Sequence, residues 1–145
     1  MTDGVDHINI YSKSATELGR ALSNFSDHGV TTLDGEFASI EGYWYWLTCP
    51  HHECRDRLRY LVGWEAKAAG REMRGADWNG DPTFKLRIIN AMVAKLILHD
   101  KILTPFRESV LPFRHYYVYG NKQIEPKEGA WIIETWECLR KVVKG

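Results

Sequence analysis

The residues best equipped for chemistry lie in Ala38 to Thr48, ASIEGYWYWLT, where a single acid, Glu41, stands among Tyr43, Trp44, Tyr45 and Trp46, just behind Ser39. A carboxylate beside aromatic rings suits a site that stacks a planar ring and manages positive charge next to it. The same aromatics would also serve to fill a core. Upstream, LSNFSDH (residues 22–28) is turn-rich, and the side chains of Asn24 and Ser26 can bond their own backbone or a ligand. CPHHEC (residues 49–54) gathers thiols and imidazoles. Ligands so close in sequence wrap poorly around one tetrahedral ion, so a loop with incidental Cys and His is the expectation, with no metal.

The chain that must position these residues is 145 long, enough for one domain with its own core. Lys plus Arg number 19 and Asp plus Glu 19, so no whole-molecule field draws the chain to nucleic acid or to a membrane. No apolar run approaches the roughly 18 residues of a spanning helix, and MTDGVDHINIYS lacks the basic flank and apolar centre of a leader; a cytoplasmic protein is expected. Cys49, Cys54 and Cys138 are odd in number and read as reduced thiols.

Pattern along the chain predicts an α+β fold, mostly helical with a few short strands. Ile8 to Tyr11 reads as a strand leading into a polar loop, SKSATELGR. Val30 to Leu33 and Glu36 to Ala38 flank Asp34-Gly35, a hairpin signal that delivers the chain to Ser39, the expected N-cap of a helix. Gly42 inside that helix costs about 1 kcal/mol relative to Ala and leaves room beside Glu41. Further helices are predicted over Glu53 to Val62, with Gly63 as a stop, and over Trp64 to Met73.

A break at Asp77 to Gly80 precedes the longest helix, which Asp81 and Pro82 are placed to start. Its apolar face runs through Phe84, Ile88, Met92 and Leu96, leaving Lys85, Arg87 and Lys95 to the solvated faces. Thr104 to Pro112 reads as a second break, His115 to Gly120 as a strand, and Trp131 to Val143 as a closing amphipathic helix.

In order along the chain, YSKS with LSNF, then GEFASIEGYW, AKAAGR, ADW before the long helix, and a terminal Arg resemble the NADAR superfamily, whose name refers to NAD and ADP-ribose. The resemblance implies a single NADAR-like domain over residues 1–145. It also implies hydrolysis of the bond between a ribose C1 and the nitrogen of a base: some relatives cleave riboflavin-pathway intermediates, and others remove ADP-ribose from guanine in DNA. The expected partner is thus an ADP-ribose-containing or phosphoribosyl ligand, with ADP-ribosylated DNA as its foremost carrier and no cofactor. Asn24 and Phe25 fall in the family's N-terminal loop, Ser39, Glu41 and Tyr43 in its S-x-E-x-Y motif, and Lys67, Gly70 and Arg71 in its A-K-x-x-G-R motif.

The chain departs from the pattern where Gly42 replaces a frequent His, Tyr45 a common Gln, and Thr48 the Lys that often follows. LPFRHYYVYG likewise replaces the acidic segment and WG pair of the riboflavin-pathway members, which argues against simple transfer of that activity.

Cleaving a ribose C1 to nitrogen bond builds positive charge on the sugar and negative charge on the base, so the sugar wants a carboxylate and the base a proton donor. Glu41 is the candidate carboxylate. Lys67 is the candidate amine, as a nucleophile toward C1 or as a phosphate contact, and Arg71, one turn on, completes a clamp. Tyr43, Trp44 and Tyr119 are candidates to stack the base, and His115 to donate a proton. The alternatives are a nucleotide-binding module without turnover and a riboflavin-pathway N-glycosidase.

Overall fold

The computed structural model describes residues 1–74 and 82–145. The elements run β1 (Ile8–Asn9), α1 (Glu17–Leu22), β2 (Val30–Thr32), β3 (Gly35–Phe37), α2 (Ile40–Thr48), a 3-10 turn (Arg55–Tyr60), α3 (Gly63–Arg74), α4 (Phe84–Leu98), α5 (Asp100–Glu108), β4 (Phe113–Arg114), β5 (Tyr117–Tyr119), β6 (Lys122–Ile124) and α6 (Ala130–Lys144). The result is α+β and mostly helical. The Asp77 to Gly80 break, the ADW motif and the Asp81 start signal lie outside the described residues. The chain forms two compact units, residues 1–23 with 100–145, and residues 24–99.

In the first unit β1 runs parallel to β4, pairing Ile8 with Phe113 and Asn9 with Arg114. The Asn9 side chain extends the ladder: its Nδ2 donates to Tyr116 O at 3.0 Å and its Oδ1 accepts from Tyr116 N at 3.0 Å. SKSATELGR is not only loop. Thr16 caps α1 by accepting from Gly19 N at 2.9 Å, and Leu18, Ala21 and Leu22 are buried, so a cap and one apolar face form a helix in a segment that looked polar. The predicted break at Thr104 is also helix. α5 runs through Pro105 because Ile102 and Phe106, one turn apart, are both buried, and Phe106 stacks on Phe113 and meets Trp136 of α6 edge-on. β5 turns at Gly120, with φ of 59°, into β6, a strand too short to show a period.

In the second unit β2 and β3 pair antiparallel with Thr32 opposite Gly35, which places Leu33 and Asp34 at the tip, one residue earlier than expected. Thr32 Oγ1 accepts from Asp34 N at 3.0 Å and donates to Gly35 O at 2.9 Å, and Gly35 takes a φ of 104°. Tyr43 of α2, Leu58 of the 3-10 turn, and Ile88 and Met92 of α4 are fully buried and form the core. The helix expected over Glu53 to Val62 is only that 3-10 turn. Its carbonyls abut α2 at Gly42, where a Cβ would overlap Leu58 O and lie 3.2 Å from Leu61 O. Gly42 therefore admits the neighbouring backbone; it does not open space beside Glu41. α4 begins at Phe84, two residues after Pro82. Among the described residues no helix is long and apolar enough to cross a membrane.

Candidate functional site

Glu41 is placed by its backbone on both sides. Its N–H donates to Asn24 O at 3.0 Å, tying the N-terminal loop to the first turn of α2. Ser39, fully buried, accepts from Gly42 N at 3.1 Å as N-cap and donates to Leu61 O at 2.8 Å, tying the same turn to the segment entering α3. The carboxyl group so fixed is largely desolvated. Burial pushes its pKa up to about 7, against the opposing pull of Lys67 and then Arg71. Carboxylate, amine and guanidinium thus share one neighbourhood.

Lys67 and Arg71 reach it from one face of α3, Lys67 half-buried and Arg71 exposed. The Lys67 ammonium lies 5.7 Å from the Phe25 ring centroid and 4.9 Å from that of Trp64, while the two rings meet edge-on at 5.4 Å. Phe25 stands beside α3 where Gly63 takes a φ of 53° to start the helix.

The other aromatics of α2 have different duties. Tyr43 is fully buried and donates to Asp34 Oδ2 at 2.5 Å, an oxygen that Arg87 also reaches at 2.8 Å. Burial and then the Asp34 bond push its phenol up to about 12. Trp44, half-buried, meets Phe84 edge-on at 4.7 Å. Tyr45 packs on Gly70, whose Cβ would overlap its ring, so the residue standing for the family's Gln fills core. Trp46 lies under the Arg55 guanidinium at 3.5 Å and donates to Asp56 Oδ1 at 2.9 Å.

Tyr119 belongs to the other unit, on the β5 and β6 hairpin, and is 59% exposed. His115, also there, has its Nδ1 2.6 Å from Ile10 O, and burial holds its pKa below the usual imidazole value. In CPHHEC, Cys49 is buried and Cys54 exposed; among the described residues no three His, Cys, Asp or Glu side chains gather to hold a metal ion.

Two residues of the second unit were missed. Trp64 read only as a helix start, yet its ring covers Lys67. Lys95 was assigned to a solvated face of α4 but is fully buried, and burial lowers its pKa to about 7. Burial, and then the Lys95 amine, hold the pKa of His28 below the usual imidazole value, and the His28 ring lies 5.1 Å from that of His99. The spacing carries the signal: Ile88, Ala91, Met92 and Lys95 follow the helical repeat of a buried stripe, so position and not charge type sets the burial of Lys95.

Fold and site together define an α+β protein with an ionisable cluster built on two adjoining helices. The fold is similar to that of the E. coli protein YbiA in its NMR structure, with a TM-score of 0.71 and 17% identity, covering 99% of this chain and 86% of that one. That likeness agrees with the α+β, mostly helical fold that the sequence pattern implied. No protein-family model matches the sequence, and no curated protein matches it either.

Proposed function

We propose that the chain is an N-glycosidase that hydrolyses the ribose C1 to nitrogen bond of an ADP-ribosyl or phosphoribosyl conjugate of a base. The observation that carries the reading is the buried Glu41 carboxyl, with a pKa of about 7 beside Lys67 and Arg71. Such a group is present in both protonation states near neutral pH, as a general base and acid requires. Water adds its oxygen to C1 while the C1 to nitrogen bond breaks, its electron pair leaving with nitrogen. Glu41 takes the proton from water and returns it to that nitrogen.

Arg71 and Lys67 balance the phosphate charge of the sugar side, with Asn24, Phe25 and Trp44 enclosing the ligand. Ser39 contributes by capping the turn that carries Glu41, and Tyr43 by packing in the core beneath it. Lys67 has a second role when the ribose is open: its amine adds to the C1 carbonyl carbon as a Schiff base, with loss of water. Borohydride added with substrate would trap that adduct as a secondary amine, and full activity without an adduct would leave Lys67 a phosphate contact.

The conjugate favoured is ADP-ribose on guanine in DNA, because LPFRHYYVYG replaces the acidic segment and WG pair of the riboflavin-pathway members and Gly42, Tyr45 and Thr48 depart from the wider family pattern. The test is release of ADP-ribose from ADP-ribosylated guanine DNA by the wild type and by Glu41→Gln. Loss of release in the variant is expected; undiminished release would remove Glu41 from the mechanism. One observation favours a binding module without turnover. Thr48, where relatives often carry a lysine, is buried and donates to Tyr45 O at 3.1 Å, leaving no amine at that position. Ligand binding with no product from any conjugate would support that second reading.

A further inference from the structure

Trp64 is 65% exposed although it is the largest side chain on its helix, so it does not serve the core. Its indole is nonetheless ordered by neighbours on two sides: Phe25 meets it edge-on at 5.4 Å, and the Lys67 ammonium lies 4.9 Å from its centroid. An aromatic ring held in place yet open to solvent is a surface made ready for another ring, since less conformational freedom is lost when a ligand stacks on it.

Helical geometry adds direction. Trp64, Lys67 and Arg71 fall on one face of α3 at steps of one turn, spanning about 10 Å along the axis at about 1.5 Å per residue. Glu41 lies near the two basic groups, at the middle and far end of that row. Aromatic ring, amine with carboxylate, and guanidinium therefore follow one another in the order in which a nucleotide presents its base, its sugar and its phosphate.

The geometry points to α3 as a ruler for a nucleotide, with Trp64, buttressed by Phe25, stacking the nitrogenous ring whose bond to ribose is cleaved, and Arg71 holding the phosphate. This rests on the function proposed above and adds a specificity-determining residue and a binding polarity to it. A ring stacked at Trp64 sets the scissile bond toward Lys67 and Glu41. A ligand with no base would bind through its phosphate alone and gain nothing from the indole.

The experiment compares guanosine monophosphate with ribose 5-phosphate by calorimetry on the wild type, Trp64→Ala and Trp64→Phe. Trp64→Ala is expected to weaken the nucleotide about ten-fold or more and to leave ribose 5-phosphate unchanged, with Trp64→Phe restoring most of the difference. Because the side chain is exposed, circular dichroism of the variants should match the wild type. Equal weakening of both ligands, unchanged nucleotide affinity, or no binding of either by the wild type would overturn the proposal. Undiminished hydrolysis by Glu41→Gln, with the Trp64 effect on binding intact, would overturn the assigned mechanism and leave the stacking role standing.

Discussion

Gly70 and Tyr45 are in direct van der Waals contact across the interface of α3 and α2, with the space that a Cβ on Gly70 would take already filled by the Tyr45 ring. The glycine of A-K-x-x-G-R is therefore a packing device that brings the Lys67 and Arg71 face of α3 close to Glu41. Gly70→Ala should destabilise the fold by about 1 to 3 kcal/mol despite its better helix propensity, because the clash is with a buried aromatic ring that cannot swing aside. Urea denaturation measures it as a lowered midpoint at unchanged slope. An alanine variant as stable as the wild type would mean that the two helices separate at no cost.

Glu41 should impose a pH dependence of known sign. Its folded pKa, about 7, lies above the ordinary glutamate value of 4.5, so the native state holds a proton that the unfolded chain has released. The associated stability is fully present below about pH 4.5 and is lost as pH rises through about 7, amounting to a few kcal/mol. Relative to Glu41→Gln, the wild type should lose stability over that window and run parallel above it. In turnover, the acid limb of the pH–rate profile should titrate near 7 and vanish in the variant. A limb that persists with glutamine in place would assign the titration to another group.

Lys95 should act in a different window. Burial lowers its pKa from 10.5 to about 7, so between those values the unfolded chain binds the proton that the fold excludes. Stability should accordingly rise as pH increases from about 7 to about 10.5, where its full contribution is reached. Lys95→Met, apolar and of similar length, should flatten that rise. Denaturation midpoints at closely spaced pH values decide it; an unchanged slope would mean that the amine reaches water in the native state.

What the sequence made legible was local and periodic. Ser39 as an N-cap, the hairpin before it, α4 and α6 follow from capping chemistry and repeat spacing, and Glu41, Lys67 and Arg71 stand close because their motifs lie on helices joined through Gly70. What stayed hidden depends on distant partners. Tyr43 became a core residue because Asp34 and Arg87 meet its hydroxyl, and Trp64 became a site residue because Phe25 came beside it. β1 and β4 pair across residues far apart in sequence, and two-residue strands carry no period to read.

Pro105 marks the clearest conflict between a local rule and tertiary packing. It lies inside α5, where it cannot donate to Lys101 O and its ring crowds that carbonyl, at a cost of about 3 kcal/mol in an unsupported helix. Ile102 and Phe106 offset this by burying themselves on one face of the same turn, Phe106 completely. Pro105→Ala should then restore the missing bond and stabilise the protein by about 1 to 2 kcal/mol, somewhat less than the full helix penalty because alanine also gives the unfolded chain more freedom. Phe106→Ala should do the reverse, costing about 3 to 5 kcal/mol through the cavity left between Phe113 and Trp136. Thermal denaturation of the two variants separates the effects. Destabilisation by Pro105→Ala would show that the proline's fixed φ, and not the burial of its neighbours, holds the α5 backbone in place.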